Sequence, residues 1–162
     1  MSDAATVPLI EPGVDSNGIK TGDWKAPIFG CFDTFVPNAL MTFACPCVTL
    51  SQVLARLGSF PYTTALITTY SLAVFFVVAG SLNRQWLNVL SAVLAVGLAV
   101  FKWNLRTKVR TMFAIPGVWW EDALCTIFCS CCSLAQIATH VESYTPGACS
   151  FDAKATLQGY RL

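Results

Sequence analysis

Two long uncharged apolar runs, separated by a short polar turn, constrain the fold of this chain most strongly. The first run covers residues 61–82 and contains TTALITTYSLAVFFVVAGSL, and the second covers residues 85–101 and contains LNVLSAVLAVGLAVF. A membrane-spanning helix needs about 20 predominantly apolar residues, and the basic and aromatic residues that follow the second run can anchor it at the interface. We therefore predict a transmembrane helical hairpin over about 61–103, with its turn near Asn83 and Arg84.

The composition agrees with lipid as the solvent for much of the chain. Only 12% of the residues are charged and 55% are hydrophobic, whereas a typical soluble domain is about 25% charged. The net charge of +1 and the absence of a basic, aromatic-interleaved stretch exclude a nucleic-acid-binding function. No phosphate loop, dinucleotide fingerprint or HExxH motif occurs, and His140 has no Ser or Cys nucleophile placed to pair with it. We expect no enzyme.

The chain divides into three parts. Residues 1–23 contain acids and no basic region followed by an apolar one, so they form no signal peptide and are predicted to be a disordered N-terminal tail. Residues 24–142 are predicted to form one Cys-rich membrane domain, and residues 143–162 a C-terminal tail. The predicted fold is an all-α membrane protein, in which the hairpin is flanked by two Cys-bearing helical segments related as an internal repeat.

Residues 38–56 are repeated without gaps by residues 122–140. The matched pairs are Asn38 with Asp122, Thr42 with Thr126, Cys45 with Cys129, Cys47 with Cys131, Thr49 with Ser133, Leu50 with Leu134, Gln52 with Gln136, Val53 with Ile137 and Arg56 with His140. A repeat of this kind predicts two elements of like structure. The segments that carry it, 35–56 and 119–140, could span the membrane, re-enter it or lie at its interface.

On a continuous helix, most polar and thiol side chains of each copy fall on one face. One interpretation is a helix-packing seam, in which small and amide side chains form hydrogen bonds across the interface. The other is a metal site or hydrated ion path, since thiolates select soft ions such as Zn²⁺. Its residues would be Cys45, Cys125, Cys129, Cys132, Asp122, Asn38, Gln52 and Gln136. Pro46 indicates that the first segment is not a regular helix, because proline interrupts the helical hydrogen bonds.

The cysteines at positions 47 and 131 point away from this face. We therefore predict that Cys47 and Cys131 face lipid and are candidates for S-acylation. A disulfide scaffold is not expected, because the cysteine-bearing segments lie near the cytoplasmic leaflet and the cytosol keeps thiols reduced.

A basic cluster follows the second apolar run. By the positive-inside rule, residues 102–110 are cytoplasmic. The cluster serves as a topology anchor that binds anionic lipid head groups, or else one of its arginines pairs with an acid at the start of the second copy. The cluster consists of Lys102, Arg106, Lys108 and Arg110, and the acids are Glu121 and Asp122.

These motifs resemble the placenta-specific-eight, Cys-rich family, which includes the plant cadmium resistance proteins and the cell number regulators. The resemblance covers about residues 24–140. Its matching pieces are Trp24, Cys31-Phe32-Asp33, Cys45-Pro46-Cys47, Gln52, Arg106-x3-Arg110, Ile115-x-Gly117, Asp122 and Cys129-x2-Cys132-x3-Gln136. Two departures stand out: the double cysteine of the cadmium-resistance type is replaced by Ala39 and Leu40, and Cys131 replaces a proline.

The resemblance implies a small protein, usually of the plasma membrane, linked to heavy-metal tolerance, to zinc or calcium handling, or to the control of cell number. It leaves two hypotheses. One is a homo-oligomeric cation or heavy-metal (zinc, cadmium or calcium) transport or channel-like protein, for which Zn²⁺ is a possible ligand and no cofactor is certain. The other is a non-catalytic structural or regulatory subunit held by helix packing and S-acylation. The expected partners are membrane lipid and further copies of the chain or a larger membrane assembly, with no nucleic acid.

Overall fold

The computed structural model describes residues 13–30 and 38–160. Within these ranges the regular structure is helical, and one isolated antiparallel bridge joins Val14 and Lys20. The predicted all-α fold class is confirmed. The helices are α1 (Leu40–Ala44), α2 (Pro46–Arg56), α3 (Tyr62–Leu82), α4 (Gln85–Met112), α5 (Trp119–Phe128) and α6 (Ser130–His140).

The two apolar runs form the helical hairpin α3–α4. Its turn lies at Asn83, whose φ of 45° and ψ of 40° are left-handed, a conformation that Asn tolerates better than most residues. At a rise of about 1.5 Å per residue, α3 is about 31 Å long, enough to cross the hydrocarbon core. Helix α4 is 28 residues long and continues beyond that thickness, so its last turns leave the apolar region.

The bent pair α5–α6 enters and leaves at the same end of the hairpin. The two helices are bent by 117° at their junction. The rings of Trp119, at the start of α5, and Trp103 are 5.8 Å apart, and those of His140, at the end of α6, and Phe113 are 4.7 Å apart. Both contacts lie on the last part of α4 or just after it. The pair therefore begins and ends near the same end of the hairpin, and α3 and α4 are the two unbroken helices of the described residues that are long and apolar enough to cross a membrane.

The hydrophobic core lies at one end of the hairpin, and we call this part of the molecule the base. The base consists of α2 with Leu57, α6, residues 102–113 and the segments 13–30 and 141–160. Its largest fully buried apolar side chains are Phe113, Ile19, Leu57, Ile137, Val53, Val109 and Val141. By contrast, only 11% and 6% of the most apolar windows of α3 and α4 are buried in the single chain. The hairpin outside the base therefore exposes an apolar surface, as a membrane span does.

Both terminal segments pack into the base. Ile19 is 1% exposed, and Tyr160 is buried and donates a hydrogen bond to Asp15 Oδ2 at 2.8 Å. Burial, and then the bond to Asp15, raises the pKa of Tyr160. The prediction of a disordered tail is therefore wrong for residues 13–23, while residues 1–12 lie outside the described residues. The predicted C-terminal tail is likewise folded onto the base over residues 143–160.

Candidate functional site

The two copies of the repeat have the same backbone form, a helix broken at the first cysteine of the motif. Cys45 ends α1 with φ −132° and ψ 60°, and Cys129 ends α5 with φ −137° and ψ 63°. Each cysteine N–H still closes the preceding helix, on Met41 O at 2.8 Å and on Cys125 O at 3.1 Å. The repeat seen in the sequence is thus a repeat of structure, and both halves have a helical break.

The matched threonines also behave alike. Thr42 Oγ1 donates to Asn38 O at 2.7 Å, and Thr126 Oγ1 donates to Asp122 O at 2.8 Å. All four side chains are buried. A hydroxyl that bonds to the carbonyl four residues earlier satisfies itself locally and favours a bend in the helix. These threonines therefore belong to the broken-helix architecture, and their hydroxyl protons are used within their own helices.

Asp122 is the centre of a buried ion network. Arg106 Nε donates to Asp122 Oδ1 at 3.2 Å, and Arg110 Nε donates to Oδ2 at 2.7 Å. Thr107 Oγ1 also donates to Oδ2, at 3.1 Å, while Arg106 Nη1 donates to Ser133 Oγ at 3.2 Å. The side chain of Asp122 is 4% exposed. The carboxylate thus joins the second copy to α4, and both its oxygens are occupied.

The basic cluster is therefore divided in its roles. Arg106 is buried, so the head-group interpretation is wrong for this residue, and the alternative pairing with Asp122 is what the structure shows for Arg106 and Arg110. The physical reason is that α4 continues into the base and turns these arginines toward α5. Lys102 is half-buried and donates to Ser130 Oγ at 2.9 Å. Lys108 is exposed and remains available to lipid.

The position equivalent to Asp122 is Asn38, which joins the two copies to each other. Asn38 Nδ2 donates to Thr139 Oγ1 at 2.7 Å and to Ala135 O at 3.3 Å, both on α6. Its Oδ1 atom is buried without a hydrogen-bond partner in the described ranges. The amide therefore packs α1 against α6, as the interpretation of a helix-packing seam expects.

The two matched glutamines bind the terminal segments. Gln52 Nε2 donates to Ser150 O at 2.9 Å and to Asp152 O at 3.0 Å. Gln136 Nε2 donates to Ala26 O at 2.8 Å. Each glutamine thus fixes a backbone carbonyl of an irregular segment, which would otherwise need another donor. The prediction that both glutamines are turned inward is confirmed by their burial.

The predicted metal site is not assembled. Among the described residues, no group of three or more His, Cys, Asp and Glu side chains could hold a metal ion. Cys129 and Cys132 form a disulfide with Cα atoms 5.3 Å apart, contrary to the expectation of reduced thiols, while Cys45 and Cys125 are free thiols. The prediction failed because it placed these residues on one continuous helix, and the break at Cys129 turns α6 away from the face of α5.

The two cysteines predicted to face lipid differ from each other. Cys131 is exposed. Cys47 is half-buried, and its Sγ atom lies 3.5 Å from Thr69 O, to which it donates; burial, and then Cys45, raises the pKa of its thiol. The predicted outward orientation therefore fits Cys131 and is wrong for Cys47, because α3 covers that side of α2. Whether either thiol is acylated stays a prediction.

A family model described as the PLAC8 family matches residues 24–140, which is most of the chain and includes both broken helices and the hairpin. The chain belongs to the PLAC8 family. The resemblance inferred from the cysteine motifs is thereby confirmed. Comparison with curated proteins finds no match. Comparison with solved structures finds none either.

Other residues of the PLAC8 motif surround the ion network. The guanidinium carbon of Arg106 lies 4.6 Å from the centre of the Trp24 ring, a cation–π contact, and Arg110 Nη1 donates to Gly117 O at 2.8 Å. The motif at residues 31–33 lies outside the described residues. Trp24 and Gly117 thus each contact one of the two arginines that pair with Asp122, a role that their place in the family motif did not reveal.

His140 is a buried structural residue of the PLAC8 base. Its side chain is 0% exposed, and its Nδ1 atom accepts the N–H of Lys25 at 3.2 Å. The rings of Phe113 and Trp24 pack edge-on against it, 4.7 and 5.2 Å away. Burial, with smaller effects of Lys25 and Lys20, lowers the pKa of His140 to about 4. The imidazole is thus neutral at physiological pH. In the sequence, only the match of His140 with Arg56 in the repeat indicated a structural role.

Two cavities border the first copy of the repeat, and they differ in size and polarity. The one beside Asn38, Thr49 and Gln52 has a volume of only about 10 Å³, which is room for about one water molecule. The other, of about 520 Å³, is an open apolar groove whose walls include Phe43, Phe128 and Cys131. The polar space is therefore too small to conduct ions, and the large space is suited to hydrocarbon.

Proposed function

We propose that this PLAC8 protein is a non-catalytic structural or regulatory component of a membrane. The observation that supports this proposal is the use of the repeated polar side chains. Asn38, Gln52, Asp122 and Gln136 each bind another part of the same chain, so the buried polar groups stabilise the base rather than line a path. Such a protein acts through its exposed surfaces, which are the apolar hairpin and the grooves beside it.

A flux measurement tests this proposal. The protein is reconstituted into vesicles loaded with a metal-sensitive dye, and the entry of Zn²⁺, Cd²⁺ and Ca²⁺ is followed against protein-free vesicles. We expect each of the three ions to enter the protein-containing vesicles at the same rate as it enters protein-free vesicles, since no ligand cluster is assembled in the described ranges. A protein-dependent rate that Gln52→Leu abolishes and the exposed-site variant Thr63→Leu leaves unchanged would overturn the proposal in favour of transport.

The second candidate function is an ion path built by several copies. One observation favours it: the two spanning helices are almost wholly exposed in a single chain, so further copies have a large surface on which to assemble. One hairpin cannot enclose a pore, so this function needs a homo-oligomer. Native mass measurement in mild detergent tests it, and a strict monomer removes it.

S-acylation belongs to the same proposal, with Cys131 as its site. Cys131 is exposed and lies on the wall of the apolar groove between the copies, so an attached acyl chain has a surface to lie on. Thioester content, measured as hydroxylamine-sensitive labelling after expression in cells, should fall in Cys131→Ser and stay unchanged in Cys47→Ser. The reverse pattern would contradict this assignment.

The orientation proposed for the chain places the base in the cytoplasm, most simply at the plasma membrane. The base end carries Lys102 and Lys108 together with the paired arginines, whereas the turn at the opposite end carries only Arg84 among the described residues. This asymmetry is the one that the positive-inside rule uses. Protease access to a tag placed at the C-terminus, in intact cells against permeabilised cells, tests it, and cleavage in intact cells contradicts it.

A further inference from the structure

A groove runs along α4 at the end of the hairpin that meets the base, bordered by α3 in its inner part and by Leu54, Ser59 and Phe60 in its outer part. Its outer part has a volume of about 430 Å³, and its inner part has about 280 Å³. The two parts share the side chains of Leu54, Phe60 and Phe101 as common walls. The groove is therefore continuous, and its size is typical of sites for small molecules, which hold roughly 300–1,000 Å³.

The outer part of the groove has the chemistry of an anion site. It is lined by Lys108 and Asn104, which are both exposed, and by Ser59, whose Oγ atom is buried without a hydrogen-bond partner in the described part of the chain. A buried hydroxyl without a partner costs free energy, so this atom favours a ligand that accepts its proton. No acid is among the residues that line either part, and Lys108 has no acidic partner among the described residues.

The inner part of the groove has the chemistry of a hydrocarbon site. Beyond the shared walls it is lined by Leu72 and Leu98, with Thr64 and Thr68 on the α3 side. Along α4, Lys108 and Leu98 are about 15 Å apart at a rise of about 1.5 Å per residue. The groove therefore begins where the spanning helix leaves the bilayer and continues toward the bilayer centre.

We propose that this groove binds an anionic glycerophospholipid of the leaflet next to the base. Its phosphate would lie at Lys108, Asn104 and Ser59, and one acyl chain would lie between α3 and α4. Basic pockets between spanning helices are suited to anionic head groups, and each basic residue near the surface contributes about 1 kcal/mol. The inference depends only on the hairpin and its groove, so it holds whether or not the protein conducts ions or is acylated.

Lipid binding to the full chain tests the head-group end. The protein is reconstituted into vesicles of equimolar phosphatidylcholine and phosphatidylserine, extracted in mild detergent, and its bound lipid is identified by native mass measurement. We expect bound phosphatidylserine, with an affinity about fivefold lower in Lys108→Gln, the effect of one basic residue. The matched control Arg84→Gln removes the same charge at the far end of the hairpin and should change nothing. Equal losses in both variants would reduce the effect to net charge and overturn the site.

A second pair of variants tests the chain end. Thr68→Trp fills the inner part of the groove, whereas Ile67→Trp places the same ring on the outward face of α3, where Ile67 is 67% exposed. We expect Thr68→Trp to lose the bound lipid and Ile67→Trp to keep it, with helical content by circular dichroism unchanged in both. Soluble glycerol phosphate should not displace the lipid. Displacement by glycerol phosphate at comparable concentration would show a site for free phosphate and overturn the proposal. Equal binding by both Trp variants would show that no acyl chain occupies the inner part, and would overturn it too.

Discussion

The first broken helix has an amide, Asn38, where the second has a carboxylate, Asp122. Both side chains are buried, and each precedes a break of almost identical backbone geometry. Asn38 forms neutral hydrogen bonds to α6, whereas Asp122 forms ion pairs with two arginines of α4. Two copies with the same backbone are therefore attached to the rest of the molecule by different forces.

This difference shows how a duplicated element can take two places in one fold. The first copy packs on its own repeat and on α3, where the neighbours are uncharged. The second copy packs on the part of α4 that carries the basic cluster, so it needs an acid. The strength of each attachment should therefore follow its charge, and the variants below compare the matched positions.

The largest effect is expected at Asp122. Asp122→Ala leaves Arg106 buried without a counter-charge, which costs roughly 3–5 kcal/mol. Asn38→Ala removes only neutral hydrogen bonds and should cost about 1–3 kcal/mol. The measurement is chemical unfolding in detergent micelles, followed by circular dichroism. If the two variants lose the same stability, the two attachments do not differ as proposed.

The second effect concerns His140, which in the second copy of the repeat matches Arg56 of the first. The pKa of His140 is lowered to about 4 in the folded protein, against about 6.5 when unfolded. The unfolded chain therefore binds more protons between these values, so stability is fully present above the unfolded pKa and falls as the pH drops toward the folded one. From about pH 7 to pH 5 the loss should be roughly 2 kcal/mol.

Unfolding in detergent at a series of pH values measures this loss. His140 is the only histidine of the chain, so His140→Asn should be less stable at neutral pH and should lose the dependence between pH 7 and pH 5. A variant that keeps the full dependence would assign it to other groups.

The hairpin and the repeat could both be predicted from the sequence, because hydropathy and matched spacing are local properties. The break at Cys45 had a local signal in Pro46. The break at Cys129 had none, since Ser130 fits within a helix, and only the match between the copies pointed to it. An argument from helical angles fails at such a break, because the angle accumulates only along an unbroken helix. This is why the predicted thiol cluster was not found.

The packing of the terminal segments could not be predicted, because it depends on contacts between distant residues. Tyr160 and Asp15 are 145 residues apart in sequence, and each stands in a polar, irregular segment with no hydropathy pattern. Similarly, the basic residues of α4 show no sign in the sequence of whether they bind lipid or Asp122. Only the direction in which α4 leaves the bilayer decides between these roles.

The third comparison is between Gln52 and Gln136, which hold opposite ends of the chain. Gln52→Ala should free the C-terminal segment around Ser150, and Gln136→Ala the N-terminal segment around Ala26, each at a cost of about 1–2 kcal/mol. Limited trypsin digestion separates them, because Lys154 and Lys25 lie in the two segments. We expect faster cleavage at Lys154 in the first variant and at Lys25 in the second, and the same cleavage pattern in both would contradict the assignment.

The smallest effect should come from the proline that distinguishes the two breaks. Pro46 is the first residue of α2, where a missing N–H is tolerated and the fixed φ suits the helix. Pro46→Ser copies the matched residue Ser130 into the first break. Because the second break keeps its geometry without a proline, this variant should keep its break and lose less than about 1 kcal/mol, the usual effect of proline on the unfolded chain.

Circular dichroism and thermal unfolding in detergent measure both parts of this expectation, with Ser130→Ala as the matched control in the second copy. An unchanged helical signal shows that packing against α6 and α3 maintains the first break. A gain in helix would show instead that α1 and α2 have joined, and that the first break depends on its proline while the second depends on the packing of the base. In that case the two breaks would have the same backbone geometry but would be maintained by different interactions.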